Sequence, residues 1–121
     1  MSENLFFSVI IPTLNEENYL PKILSDFAKQ KQKNFEVIIV DAASEDKTKE
    51  KALEFSKYFP LKFNEVKKRN VSFQRNFGAQ KANGEFLLFL DADARIKPNF
   101  TGNLYEDILK NGGSLLLPTL A

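Results

Sequence analysis

The sequence predicts a three-layer α/β/α domain with a mostly parallel sheet. Short apolar runs alternate with segments of helical periodicity, in the order β-α-β-α-β-α-β-α-β. The continuous apolar run Phe86–Leu90 ends at Asp91, which is typical of a strand buried on both faces of a parallel sheet. The chain of 121 residues has room for one such domain, predicted over residues 1–121.

Composition limits the classes of function. The 17 basic and 16 acidic side chains give a net charge of +1, which argues against nucleic acid as a partner. The absence of Cys and His excludes disulfides, thiolate nucleophiles and zinc–thiolate sites. Any metal must therefore be held by oxygen atoms, as Mg²⁺, Mn²⁺ and Ca²⁺ are.

The N-terminus lacks the basic region of a signal peptide, and no segment approaches the roughly 20 apolar residues of a membrane span. We expect a cytoplasmic protein. Any attachment to the inner face of the cell membrane would come from regions outside this chain.

The first strand is predicted over Phe6–Ile11, and Pro12 is expected to end it because proline cannot donate to a sheet ladder. A helix follows over about 18–30, with Pro21 tolerated in its first turn. The second strand is predicted over Phe35–Val40.

The second helix is predicted over about 47–58, with Ser44 or Asp46 as its cap. The run 61–66 is short and only partly alternating, which predicts a strand nearer an edge of the sheet.

A third helix is predicted over about 72–83, closed by Gly84 in the left-handed conformation. Gly78 within it is expected where another backbone or a ligand passes close. A fourth helix begins near Pro98, and a last strand is predicted over 114–117.

Ligands of open parallel sheets bind beyond the carboxyl ends of the strands. The loops at that edge contain Asn15, Glu16, Asp41, Ser44, Asp46, Lys68, Arg69, Asp91 and Asp93. Each alone is an ordinary solvated loop residue, but their convergence favours a site. If the chain stays extended there, Asp91 and Asp93 point to one side and can hold a hard divalent cation.

Two phosphate-binding motifs are missing. Neither G-x-G-x-x-G nor G-x-x-x-x-G-K-[ST] follows the first strand, which disfavours nicotinamide, flavin and ordinary ATPase sites. A metal on paired carboxylates would neutralise phosphate charge instead.

Four stretches in order resemble the nucleotide-binding half of GT-A glycosyltransferases of family 2, a group with many inverting enzymes. They are Ser8–Glu16 (SVIIPTLNE), Val37–Thr48 (VIIVDAASEDKT), Gln74–Asp93 (QRNFGAQKANGEFLLFLDAD) and Lys97-Pro98. The resemblance implies a Rossmann-like GT-A fold and transfer of a sugar from a UDP- or GDP-linked donor to an acceptor hydroxyl. It implies Mn²⁺ or Mg²⁺ as the cofactor.

The resemblance also implies roles for individual residues. Glu16 and Asp41 would contact the base or ribose, and Arg75 would lie near the nucleotide. Asp91 would approach the ribose and the metal shell, and Asp93 would coordinate the metal and bridge it to the diphosphate. The remaining predicted contacts to the nucleotide sugar are Pro12, Asn15, Ser44, Asp46 and Ala92.

The chain departs from the family pattern in two places. The usual Asp-Asp-Gly-Ser reads Asp41-Ala42-Ala43-Ser44 here, and the acid that often follows the acidic pair is Ala94. Base and ribose contacts at the second loop are therefore the weaker part of the resemblance.

Family members carry an acceptor-binding half that holds the carboxylate base. No candidate for this base is found in the chain, because Glu106 and Asp107 fall on the solvent side of a helix. We interpret the chain as a donor-binding half, truncated before its acceptor half. The acceptor would be a glycan or a lipid-linked glycan.

Two alternatives stay open. One is a binding module that holds nucleotide and metal and at most hydrolyses the donor slowly. The other is a sugar-1-phosphate nucleotidyltransferase, which would normally have a Gly-rich loop with a basic residue after its first strand. The loop Pro12–Glu16 has neither feature.

Overall fold

A computed structural model describes residues 5–111 and contains a four-stranded, wholly parallel sheet. The strands are β1 Phe7–Thr13, β2 Phe35–Asp41, β3 Leu61–Glu65 and β4 Phe86–Phe89, and they lie in the order β3-β2-β1-β4. The helices are α1 Leu20–Ala28, α2 Thr48–Leu53, α3 Val71–Gln80 and α4 Phe100–Lys110, and a 3₁₀ helix, Glu54–Lys57, extends α2. This alternation confirms the predicted fold class and places β3 at an edge, as predicted. The strand predicted over 114–117 lies outside the described residues.

The central strands hold the core together. β1 pairs with β2 from Phe7↔Phe35 to Thr13↔Asp41, and every residue of β2 is buried. On one face the sheet packs against α1, α2 and α4 through a large apolar cluster that includes Phe7, Phe27 and Phe35. On the other face α3 covers a smaller cluster of Ile10, Ile38 and Val40.

Pro12 does not end β1, contrary to the prediction, since the strand continues to Thr13. Successive residues of a parallel strand direct their backbone groups to alternate neighbours. The Ile10 carbonyl accepts from Leu90 of the β4 side, and the Thr13 carbonyl accepts from Ala42 of the β2 side. Pro12 therefore directs its backbone nitrogen toward the β4 side, beyond the last β1–β4 pair, Ile10↔Phe89, and no ladder bond is lost.

The prediction that the FLLFL strand is buried on both faces is wrong for the described structure. Leu88 and Leu90 join the large cluster, whereas Leu87 and Phe89 are 40% and 38% exposed. The reason is positional, because α3 packs on β1 and β2, and no other element among residues 5–111 covers this face of β4.

The connection between α3 and β4 also differs from the prediction. The helix ends at Gln80, before the predicted 83, and Gly84 does not adopt the left-handed conformation. Gly84 is needed for space, because a Cβ there would lie 2.7 Å from the main-chain carbon of Phe7. At Gly78 the close neighbours are side chains rather than a backbone or a ligand, since a Cβ added there would lie 2.6 Å from Ile10 Cγ2.

The helix starts follow the local sequence. Asn70 caps α3 by accepting a hydrogen bond from Phe73 N–H at 2.8 Å. Pro21 lies in the first turn of α1, as predicted. The prediction that Ser44 or Asp46 caps α2 is wrong, because the N-cap is Lys47, which forms no side-chain capping bond. Asp46 lies one residue earlier and accepts from Thr48 N–H at 2.9 Å. Within residues 5–111, no helix combines the length and apolarity that crossing a bilayer requires.

Candidate functional site

A cavity of about 560 Å³ opens beyond the carboxyl ends of β1 and β4. This is the edge at which open parallel sheets bind ligands. It is lined by Pro12, Thr13, Leu14, Glu16, Tyr19, Arg69, Asn70, Val71, Gln74, Asp91, Ala92 and Asp93. Six of the residues predicted from sequence therefore meet in one cavity: Pro12, Glu16, Arg69, Asp91, Ala92 and Asp93.

The two aspartates do not lie on an extended strand, so the expectation that an extended backbone aligns them is wrong. β4 ends at Phe89, and the chain then turns, with Ala94 N–H donating to the Asp91 carbonyl at 3.0 Å. Burial of Ala92 between them helps to fix this turn. Asp91 and Asp93 still line the same cavity.

The two aspartates differ in their partners. Asp91 Oδ1 lies 3.5 Å from Arg75 Nη2, an ion pair in which both side chains are nearly half exposed. Arg75 therefore pairs with Asp91 and is not among the residues that line the cavity. Asp93 is exposed and has no hydrogen bond or ion pair to any residue within 5–111. Its carboxylate is free to bind a ligand.

Negative charge gathers at this end of the cavity. Burial raises the pKa of the Glu16 carboxyl, and the charges of Asp93, Asp46 and Asp91 raise it further. A potential that favours a proton on Glu16 also favours a metal cation.

A divalent cation fits this chemistry, because the chain has no His or Cys and the available ligands are carboxylate oxygens. In the described part of the chain, no group of three or more acidic side chains is close enough to hold a metal alone. Water molecules or oxygen atoms of a bound phosphate group would complete the coordination shell.

The Asp41 carboxylate forms its hydrogen bonds with other groups of the protein. It is 3% exposed, and its Oδ1 accepts from the hydroxyls of Thr13 and Ser44, both at 2.6 Å. Its Oδ2 accepts from Ser44 N–H at 2.9 Å. Asp41 and Ser44 thus join the ends of β1 and β2 and do not line the cavity.

Asn15 and Asp46 likewise connect the loops that follow β1 and β2. Asn15 N–H donates to Ser44 Oγ at 2.7 Å, and Asn15 Oδ1 accepts from Glu45 N–H at 2.8 Å. Asp46 Oδ2 accepts from Glu17 N–H at 3.2 Å. Both predicted site residues therefore hold the two loops together, and neither lines the cavity itself.

The loop after β2 contains backbone strain. Ala43, at the position where the family pattern has glycine, adopts φ 55°, in the left-handed region that disfavours a Cβ. Arg69 holds this segment, donating from Nε to the Ala42 carbonyl at 3.1 Å and from Nη2 to the Ala43 carbonyl at 2.9 Å.

Replacement of Ala43 by glycine is expected to raise the free energy of unfolding by about 1 kcal/mol, because relief of the left-handed Cβ exceeds the added entropy of the unfolded chain. Urea denaturation measures the change. Ala42→Gly is the matched control, since Ala42 is fully buried and has no positive φ. We expect the control to destabilise the protein, and stabilisation by both changes would contradict the strain argument.

A polar brace holds the segment that follows Asp93. Arg95 forms two hydrogen bonds to the Asp26 carboxylate, at 2.7 and 2.9 Å, and these bonds lower the pKa of Asp26. Gln30 Nε2 donates to the Lys97 carbonyl at 2.7 Å, and Gln30 Oε1 accepts from Thr101 N–H. The segment is thereby fixed against α1 and the residues just after it.

A second cavity, of about 800 Å³, lies between α4 and residues 94–99. It is larger, but it contains none of the nucleotide or metal residues predicted from sequence. Glu106 and Asp107 are exposed on α4, as predicted, and neither lines the cavity at the ends of β1 and β4.

Comparison with known proteins decides the family. The sequence profile described as Glycosyl transferase family 2 matches residues 8–120. The chain belongs to glycosyl transferase family 2. A dolichol-phosphate mannosyltransferase of Pyrococcus furiosus is 36% identical over 112 residues, which cover 91% of this chain and 32% of that protein.

Solved structures of the family share the fold. Residues 1–349 of TarS from S. aureus give a TM-score of 0.84 at 32% identity, over 88% of this chain and 33% of that chain. The same TarS fragment has been solved with UDP-GlcNAc. The mannosyltransferase PcManGT of Pyrobaculum calidifontis, solved with GDP-Man and Mn²⁺, gives 0.77 at 26% identity, over 84% and 32% of the two chains. The predicted GT-A fold is confirmed, and this family-2 chain spans about a third of these relatives' length.

Sequence reasoning did not single out six residues that line this cavity: Thr13, Leu14, Tyr19, Asn70, Val71 and Gln74. One signal was available for Gln74. It lies four residues before Gly78, so it shares the helix face that packs on the sheet, where a polar side chain is unusual.

Proposed function

We propose that this family-2 chain binds a nucleoside-diphosphate sugar and a divalent metal, and supplies the donor site for transfer of the sugar to an acceptor hydroxyl. The observation that carries the proposal is the meeting of Asp91, Asp93 and Glu16 in one cavity at the carboxyl edge of the sheet. The relatives solved with UDP-GlcNAc and with GDP-Man and Mn²⁺ support the class of ligand.

Asp93 and Asp91 would hold Mn²⁺ or Mg²⁺ together with the diphosphate oxygens. The bound metal supplies Lewis-acid stabilisation of the charge that builds on the nucleoside-diphosphate leaving group. Arg75 orients Asp91 by its ion pair and offsets part of the negative charge in the absence of a ligand. Glu16 adds to the negative potential from the loop after β1.

The nucleotide-sugar residues divide into two groups. Pro12, Glu16, Asp91 and Ala92 line the cavity and are proposed as direct contacts. The others act through the shape of the loops or through Asp91, and they are Asn15, Asp41, Ser44, Asp46 and Arg75.

We propose that the chain forms a single donor-binding unit and that the acceptor site and the base belong to a longer protein. The support is that, within residues 5–111, the carboxylates lining the cavity are only Glu16, Asp91 and Asp93, each already given a role toward metal or donor. The acceptor would be a glycan or a lipid-linked glycan. Donor turnover at an enzyme-like rate by the 121-residue chain would contradict this division of labour.

Calorimetric titration with UDP and GDP, with and without Mn²⁺, tests the proposal. We expect metal-dependent binding, and we expect Asp93→Asn to weaken it by about a hundredfold or more, because a first ligand matters at least as much as its supporting residues. Glu106→Gln is the control, since Glu106 is exposed on α4 and away from the cavity. Nucleotide affinity that changes neither on omission of Mn²⁺ nor in Asp93→Asn would refute the metal site.

A further inference from the structure

Gln74 is a polar side chain with a fixed orientation at the cavity. It is 3% exposed, and its Nε2 donates to the Thr13 carbonyl at 3.1 Å and to the Val40 carbonyl at 2.8 Å. Both amide hydrogens are therefore used on the ends of β1 and β2. Only the nitrogen of an amide can donate to two carbonyls, so chemistry determines which way the amide points.

The other end of the amide is free. Gln74 Oε1 accepts no hydrogen bond from any residue within 5–111, and it is not sealed from solvent. Gln74 lines the cavity beside Thr13, Arg69 and Asn70. A largely buried acceptor without a partner is uncommon, and a ligand that donates a hydrogen there gains a bond whose geometry is already set.

The position of Gln74 suggests which part of a nucleotide it meets. The acidic pair lies at the end of β4, whereas the Gln74 amide lies across the ends of β1 and β2, on the other side of β1. If the diphosphate binds at Asp91 and Asp93, the part of the same cavity left for the nucleoside is the end lined by Thr13, Asn70 and Gln74. The base is the part of the nucleotide farthest from the phosphates, so this arrangement would bring it to Gln74.

We propose that Gln74 Oε1 selects the donor nucleotide by accepting a hydrogen bond from a ring N–H of its base. Uracil offers N3–H and guanine offers N1–H, whereas cytosine N3 and adenine N1 are acceptors. CDP and ADP can donate to the amide oxygen only if the base shifts to present its exocyclic amino group, which moves it away from the position that UDP and GDP occupy. UDP and GDP therefore bind in preference to CDP and ADP. This inference rests on the proposed function.

Titration of the chain with UDP, CDP and N3-methyl-UDP at saturating Mn²⁺ tests the inference without altering the protein. CDP and N3-methyl-UDP are each expected to bind at least about tenfold more weakly than UDP, because each loses the hydrogen bond to Gln74 Oε1. In CDP an acceptor nitrogen then faces the amide oxygen, and in N3-methyl-UDP a methyl group does. Equal affinity of UDP and CDP, within a factor of two, would overturn it.

Gln74→Met separates base selection from support of the fold. Loss of support for the fold alone would weaken the binding of UDP and of CDP equally. Loss of base selection would lower the ratio of the affinity for UDP to the affinity for CDP toward one. Gln80→Met, at an exposed position of the same helix, should leave the preference unchanged. If the methionine variant does not fold, Gln74→Glu provides a second variant, and equal affinity of the unaltered chain for UDP and CDP would still overturn the inference.

Titration with 2′-deoxy-UDP distinguishes a ribose contact. One result would show that Gln74 binds the sugar and would overturn the base assignment. In that result, 2′-deoxy-UDP binds more weakly than UDP to the unaltered chain but not to Gln74→Met, and N3-methyl-UDP binds the unaltered chain as tightly as UDP. If no nucleotide binds with Mn²⁺, the proposed function is overturned and this inference with it. Binding of UDP and CDP with equal strength overturns the inference alone.

Discussion

Replacement of Gly84 by alanine is expected to lower the free energy of unfolding by about 3 kcal/mol, at the upper end of overpacking costs. The new Cβ would lie 2.7 Å from the Phe7 carbonyl carbon and 2.8 Å from Ser8 N. These atoms belong to the main chain of β1, which at Phe7 and Ser8 pairs with both β2 and β4, so the strand cannot move aside without breaking its ladders. Urea denaturation measures the change.

Gly102→Ala is the matched control for that experiment. Gly102 lies within α4, and the nearest atom to its added Cβ is the side-chain oxygen of Gln32, at 3.1 Å. Because Gln32 is exposed and flexible, it can move, and the higher helix propensity of alanine should stabilise the protein by up to about 1 kcal/mol. Similar effects of the two substitutions would show that the approach of Gly84 to β1 does not determine the outcome.

Replacement of Glu36 by alanine is expected to lower the free energy of unfolding by about 3 kcal/mol, since hydrogen bonds to a buried charged group are the strong ones. The Glu36 carboxylate is 1% exposed and accepts from Ser8 Oγ at 2.6 Å and from Asn83 N–H at 2.7 Å. Lys62 Nζ lies 3.1 Å from its second oxygen. The exposed neighbour Glu85 provides the control Glu85→Ala, which should change stability little.

The contribution of Glu36 should depend on pH. Burial alone would raise its pKa, but the hydrogen bonds from Ser8 and Asn83 and the ion pair with Lys62 outweigh burial and lower the pKa below 4.5. A lowered folded-state pKa stabilises the protein above pH 4.5, and this stabilisation is lost as the pH falls through the folded-state value. Stability differences between the unaltered chain and Glu36→Gln, measured from about pH 7 down to about pH 3, should shrink below pH 4.5. A constant difference would contradict the charged role of Glu36.

The sheet could be predicted from sequence because its central strands carry their own signal. β1 and β2 each contain a run of apolar residues buried on both faces, Val9–Ile11 and Val37–Val40, so composition and periodicity were sufficient. The same apolar signal in β4 was misleading, because burial of Leu87 and Phe89 depends on what packs beside α3 rather than on the strand itself. Pro12 was misjudged because its effect depends on which neighbour its nitrogen faces.

The acidic end of the site could also be predicted, since Asp91 and Asp93 directly follow a strand in a parallel sheet. The roles of Asp41 and Asn15 could not, because they depend on partners about thirty residues away in the neighbouring loop, such as Ser44 for Asn15 at a separation of 29. The role of Gln74 could not be predicted for a similar reason, because the two carbonyls that accept from its side chain lie 34 and 61 residues away in sequence. Sequence places a polar residue at an edge but does not say whether it meets the protein or a ligand.

The brace between Arg95 and Asp26 has a consequence for the entropy of ligand capture. The turn that carries Asp93 is held at one end by the pairing of β4 with β1 and at the other by Asp26 and Gln30. A segment fixed at both ends has few alternative conformations left to lose when a ligand arrives, so little of the binding free energy is spent on ordering it. Under the proposed function, the acidic turn would therefore be ordered before the metal and the donor bind.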